Sequence, residues 1–160
     1  MNKIIIDGYN MIHQVAALKS YVNESLERSR QELIRLLKAY LLNKKVEITV
    51  VFDGKYPALG ADGFGSHHSL RVVFSNQPFK ADPLIKNLIE REEHPKGLFV
   101  VTDDSDIIES AKSYQVGTLS PVSFHSRLVK RRQDEDVYNK FGPNLTDKEV
   151  DDWLQIFGEK

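Results

Sequence analysis

Three short apolar runs set the pattern of this chain, and each stops at an aspartate. Ile4-Ile5-Ile6 ends at Asp7, the run Val46 to Phe52 ends at Asp53, and Leu98 to Val101 leads through Thr102 into Asp103, Asp104 and Asp106. Runs of this length, rich in β-branched residues and bounded by Asp, Gly or Asn, predict short buried strands. Between the first two, Leu26, Leu33, Leu37, Tyr40 and Leu41 recur at helical spacing, predicting a helix from about Glu24 to Asn43. Asn23 is its expected N-cap, with Glu24 and Glu27 in the first turn, where the helix dipole favours negative charge. Strand, helix and strand then form a βαβ unit. The mixed stretch from Met11 to Tyr21 reads as a loop with a helical turn.

The second half continues the alternation. Gly54 to Ser69 holds four glycines, Pro57 and the pair His67-His68, and reads as a long loop. Adjacent histidines rarely converge on one ion without a third ligand, so this pair reads as solvated. Leu70 to Phe74 is a short strand, and Ser75 to Lys80 a turn. A helix beginning at Ala81-Asp82-Pro83 carries the stripe Leu84, Ile85, Leu88 and Ile89. Asp82 before Pro83 matches an N-cap followed by proline at the first helical position, which is a purely structural account of that carboxylate. After the strand Leu98 to Val101 come a helix from Ile107 to Ser113 and a last strand from Val116 to Leu119. A basic helix follows from Ser123 to Arg132. Thr146 and Glu149 match a capping box opening a final amphipathic helix through Val150, Trp153, Leu154 and Phe157. With no internal repeat or linker, the 160 residues read as one α/β domain with a helical tail from about residue 137.

Composition narrows the class. An apolar fraction of 41% supports an ordinary core, and no apolar run approaches the roughly 20 residues of a membrane helix. The chain opens directly into a strand without a signal-peptide pattern, so a cytoplasmic location is expected. The lack of cysteine excludes disulfides, thiolate metal sites and a cysteine nucleophile. A formal net charge of −1 gives no overall basic footprint, although an acidic pocket can mask a basic rim.

The chemistry lies in the strand-end aspartates. Parallel strands bring their carboxyl ends to one edge, where open α/β proteins bind ligands. Four or more carboxylates gathered there repel one another unless a cation sits among them. Oxygen ligands suit Mg²⁺ or Mn²⁺. Asp7, Asp82, Asp103 and Asp106 are the expected ligands and catalytic residues, with Asn10, Asp53 and Asp104 in support. One of the acids after Thr102, or Ser105, must cap the helix that follows; three Asp in four positions exceed what a cap requires. Asp53-Gly54 can equally be a turn after a strand. Without a serine or histidine suited to covalent catalysis, a metal-activated water is the simpler nucleophile. Phosphodiester hydrolysis would then leave a 5′-phosphate and a 3′-hydroxyl.

The blocks Ile4 to Ile12 with Asp7-Gly8-Tyr9-Asn10, Val50 to Gly54, Ala81-Asp82, and Val100 to Asp106 resemble the NYN-domain proteins of the YacP-like group, within the PIN-like nuclease superfamily. The resemblance covers nearly the whole chain. It implies a PIN-like three-layer sandwich, a central mainly parallel sheet flanked by helices. It also implies a Mg²⁺- or Mn²⁺-dependent endoribonuclease acting on mRNA, with the ribosome as a candidate partner. By position, Asp7, Asp82, Asp103 and Asp106 correspond to the acidic metal centre. RNA contacts are expected from Lys55, Arg71, Lys80 and Arg127 on the rim, and base stacking from Tyr9, Tyr56 or Phe64. Arg28, Arg30, Arg35 and Lys38, on the first long helix, read as a solvated face.

Two other classes compete. A non-catalytic RNA- or ribosome-binding module would keep the fold without turnover. A receiver-type phosphoacceptor domain would use Asp53, but receivers carry two adjacent acids where this chain has Asp7-Gly8, and a lysine after the last strand where Thr118 to Pro121 has none.

Overall fold

The computed structural model describes residues 2–42, 44–55, 68–76 and 80–130. Five strands, β1 (Asn2–Asp7), β2 (Val46–Phe52), β3 (Leu70–Phe74), β4 (Leu98–Val101) and β5 (Gly117–Leu119), form one sheet in the order β3-β2-β1-β4-β5. Every adjacent pair is parallel. All carboxyl ends therefore lie on one edge, with Asp7 on the central strand.

Alternation along the strands builds two cores, one on each face. Ile4 and Ile6 join Ile48, Val50 and Phe52 on one side, while Ile5 packs with Val51 and Val100 on the other. The first face is covered by α1 (Gly8–Gln14), α2 (Ala16–Lys19), α3 (Leu26–Leu41) and α6 (121–130), the second by α4 (Ala81–Arg91) and α5 (Ser105–Ser113). This is the three-layer α/β arrangement expected from the sequence.

Several local expectations change. Met11 to Tyr21 is not a loop: α1, α2 and a 3-10 turn at Ser20–Asn23 occupy it. Met11, Ile12, Val15 and Leu18 are buried in the first core, a helical stripe whose polar interruptions hid it. Helix α3 is capped by Ser25, whose Oγ accepts from Arg28 N at 3.0 Å, rather than by Asn23. Asn43 lies outside the described residues.

The start of α4 corrects the structural account of Asp82. Lys80 occupies the N-cap position without a side-chain cap bond, and the helix begins at Ala81, so Asp82 and Pro83 both lie in the first turn. Proline is tolerated there because first-turn N–H groups have no intrahelical acceptor. Asp82 is therefore free of capping duty. At α5 the cap is Asp104, whose Oδ1 accepts from Asp106 N at 2.8 Å and from Ile107 N at 3.2 Å. Ser120 Oγ accepts from Ser123 N at 3.2 Å, and α6 opens one residue after that serine, at Pro121. The expected end of the basic helix at Arg131 and Arg132, the capping box at Thr146 and the tail from 137 lie outside the described residues, as do Tyr56, Phe64 and His67.

Candidate metal centre at the strand ends

Gly8 makes room for the site. A Cβ there would lie 2.4 Å from two ring carbons of Phe52 and 3.1 Å from the Val51 carbonyl oxygen. Only glycine lets α1 turn away this closely after Asp7.

Asp7 shares the parity of Ile5, so it faces the α4 and α5 side of the sheet. Both helices present their first turns to this edge. Asp82 in α4, the capping Asp104 and Asp106 in α5 each place a carboxylate oxygen within 4.8 Å of the others. Two helix N-termini favour negative charge here, which offsets part of the repulsion within the trio.

Asp7 registers what remains. Its carboxyl is pushed up from 3.8 to about 6, chiefly by burial and further by the charges of Asp104 and Asp82. Two hydrogen bonds oppose that rise. Thr102 Oγ1 donates to Asp7 Oδ2 at 3.1 Å, and the Asn10 backbone N–H also bonds the carboxylate. Thr102 is itself buried and accepts from Asp104 N at 3.0 Å, tying the central carboxylate to the cap of α5. Asn10 Oδ1 accepts from Asp103 N at 2.9 Å, which ties α1 to the same loop.

Asp82 supplies the test of fit for a cation. Its Oδ1 is shielded from solvent and receives no hydrogen bond. The Lys86 ammonium stands 3.5 Å from it, close enough for Coulomb attraction and too long for a good N–H···O bond. A shielded carboxylate oxygen with only a long ammonium contact, beside two further carboxylates, suits a hard divalent ion bound through oxygen.

The structure distributes the sequence-based site residues unevenly. It groups Asp82, Asp104 and Asp106, with Asp7 in electrostatic contact with Asp82 and Asp104. Asp104, expected only in support, is a full member of the trio. Asp103 lies outside that trio, exposed and held through its backbone by Asn10. Asp53 turns toward β3, where its Oδ1 accepts from Ser75 Oγ at 3.3 Å.

Among the rim cations, Lys80 adjoins α4 next to the trio, Lys55 is exposed just beyond Asp53, and Arg127 lies in α6. Arg71 does not flank this edge. It sits at the second residue of β3, level with Thr49, in a groove of about 320 Å³ with Lys3, Glu47 and Glu92 toward the amino ends of the strands. Tyr9 packs its ring on Phe52 at 5.0 Å instead of standing open for a base. Sequence reasoning missed Thr102, Lys86 and Arg30. Thr102 had a signal, being the first polar side chain after the run that ends at Val101.

A parallel α/β sheet with acids collected at its strand ends fits a nuclease or a phosphoacceptor domain, and similarity to known proteins places it with the nuclease-like folds. Residues 4–155 match the YacP-like NYN domain, and the chain belongs to that nuclease-type family. The uncharacterized protein YacP of Bacillus subtilis (strain 168) is 30% identical over 90 residues, 56% of this chain and 52% of that protein. The aligned part thus spans about half the length of that curated relative. Two crystal structures of Rae1 (YacP) from Bacillus subtilis share the fold. A point mutant of it gives a TM-score of 0.71 at 23% identity over 94% of this chain and 91% of that one. The other gives 0.70 at 22% identity over 99% and 90%. Among the described residues no helix is long and apolar enough to cross a membrane.

Proposed function

We propose that this chain is a divalent-metal-dependent endoribonuclease that hydrolyses RNA phosphodiester bonds in the cytoplasm, with mRNA as substrate and the ribosome as partner. Membership of a nuclease-type family supports the reaction class. The observation that carries the reading is the cluster of Asp82 with Asp104 and Asp106 from α5, in which the shielded Asp82 oxygen has no hydrogen bond and only a long contact of 3.5 Å to Lys86.

In this reading Asp7, Asp82, Asp104 and Asp106 would hold Mg²⁺ or Mn²⁺, with Asp103 exposed beside them. When bound, the ion supplies Lewis-acid polarisation of the phosphodiester and a lowered pKa for the attacking water. The chain's part is positional. Thr102 and the Asn10 N–H fix the Asp7 carboxylate, the Asp104 cap fixes the start of α5, and Asn10 fixes the loop between them. Lys55, Lys80 and Arg127 supply cations around the edge for the RNA backbone.

The test is incubation of the protein with RNA, free and on translating ribosomes, in Mg²⁺, Mn²⁺ or EDTA, beside Asp82→Asn. Cleavage that needs the metal, fails in the variant and leaves 5′-phosphate ends is expected. Ends carrying a 2′,3′-cyclic phosphate overturn the hydrolytic mechanism. Binding without cleavage under every condition leaves an RNA-binding module.

A further inference from the structure

The strand-end edge has a second half, on the α3 side of the sheet, and it carries a fixed cation. Helix α3 runs from the carboxyl edge back to the amino edge, so its first two turns stand beside the end of β1. Arg30 lies in the second of these turns, half-buried. Its Nη1 donates to the Tyr9 hydroxyl at 2.8 Å, and its guanidinium carbon lies 5.9 Å from the centre of the Phe74 ring. Tyr9 is tilted on Phe52 at 5.0 Å, and Phe52 on Phe74 at 5.4 Å. The ends of β2 and β3 and the residue two beyond Asp7 thus form one aromatic platform that positions the arginine.

We propose that Arg30, oriented by Tyr9 and Phe74, grips a backbone phosphate of RNA lying across the strand ends and so delivers the neighbouring linkage to the acidic trio. This rests on the RNA reading above and adds a positioning residue to it. A guanidinium carries five N–H donors in a planar fork that matches a phosphate. An arginine already ordered by an aromatic face also loses less freedom on binding than one in solvent. The acids need such a partner, because a polyanion approaching the trio meets carboxylates first unless cations hold it on the other side.

The experiment measures binding of a fluorescent single-stranded RNA in EDTA across a KCl series, for the wild type, Arg30→Gln, Arg30→Lys and Tyr9→Phe. Melting temperature and calorimetric Mn²⁺ affinity are recorded for each. Arg30→Gln is expected to weaken binding about tenfold and to flatten the slope of log K against log salt by about 0.7, the value for one lost single-strand phosphate contact. Mn²⁺ affinity stays at the wild-type value. Arg30→Lys keeps the slope and loses about threefold in affinity with the fork, and Tyr9→Phe behaves similarly.

A wild-type slope and affinity in Arg30→Gln overturn the proposal, as does a wild type that binds no RNA. If Arg30→Gln does not fold, wild-type affinity in both Arg30→Lys and Tyr9→Phe overturns it. RNA bound through Arg30 but never cut removes the nuclease reading and leaves this contact. RNA cut with an unchanged slope does the reverse.

Discussion

The two edges of one sheet treat charge in opposite ways. At the amino edge, Lys3 and Glu92 form an ion pair at 3.4 Å, and Glu47 and Arg71 stand exposed in the same groove. Opposite signs alternate there. At the carboxyl edge the carboxylates of Asp7, Asp82, Asp104 and Asp106 are drawn together and outnumber the Lys86 ammonium that stands 3.5 Å from Asp82, and Asp7 is raised by burial and by its acidic neighbours. The first arrangement is a surface that has settled its own charges. The second leaves an excess of negative charge. Function is read from that difference, because folding alone gives no reason to gather an excess of like charge beside the mostly buried carboxyl of Asp7.

The largest expected effect separates capping from ligation at Asp104. Asparagine caps a helix as well as aspartate does, so Asp104→Asn should keep the bonds to Asp106 N and Ile107 N while removing a charge from the trio. RNA cleavage should fall by more than the roughly 100-fold that loss of an outer-shell partner costs, with a melting temperature close to wild type. Cleavage within about twofold of wild type would reduce Asp104 to a cap and make the two edges alike.

Next is the cost of the uncompensated charge, read in metal-free protein. Asp7 titrates at about 6 in the fold and at 3.8 when unfolded, so between those values the folded state binds more protons. Stability contributed by the protonated carboxyl is complete below 3.8 and is lost as pH rises through about 6, by about 3 kcal/mol. Asp7→Asn cannot ionise. It should match the wild type near pH 4 and exceed it by up to about 3 kcal/mol at pH 7.5 in EDTA. Saturating Mn²⁺ should reverse the order at pH 7.5. Denaturant midpoints at the two pH values, with and without metal, measure this. A constant difference between the proteins would mean that Asp7 carries no such burden.

A third effect is steric. Gly8→Ala puts a methyl group 2.4 Å from the Phe52 ring, and that ring already supports Tyr9 and Phe74. A loss of about 1–3 kcal/mol is expected, together with weaker RNA binding as the aromatic platform shifts. Unchanged stability would show that the ring yields freely and that the platform is soft.

How much of this was legible beforehand depends on the range of the signal. The strands, the parallel sheet and the acidic strand ends were readable because apolar runs and terminal aspartates are local patterns. Asp82 was ambiguous because an Asp-Pro pair fits a cap, and only the actual start of α4 at Ala81 shows that Lys80 takes that place. The roles of Asp103 and Asp104 turned on one residue of helix register, which spacing does not resolve. Arg30 read as solvated because its partners, Tyr9 and Phe74, are distant in sequence and meet it only in the folded chain. Arg71 was expected on the rim, whereas its register beside Thr49 puts it lower on the sheet.

The smallest expected effect checks the quiet edge. Glu92→Gln removes the charge facing Lys3 while keeping an acceptor for His94 N, which bonds Glu92 Oε1 at 3.1 Å. The Lys3 side chain is 45% exposed and that of Glu92 12%, so water screens the pair from the Lys3 side. A double-mutant cycle with Lys3→Met should give a coupling below about 1 kcal/mol that vanishes in about 1 M salt, with RNA cleavage unchanged. The pair sits at the far end of α4 from Asp82, so a charge change there reaches the acidic trio only across the length of that helix. A coupling above about 2 kcal/mol, or a loss of cleavage, would mean that the amino edge also fixes α4 for catalysis. The trio would then depend on both ends of the helix that supplies Asp82.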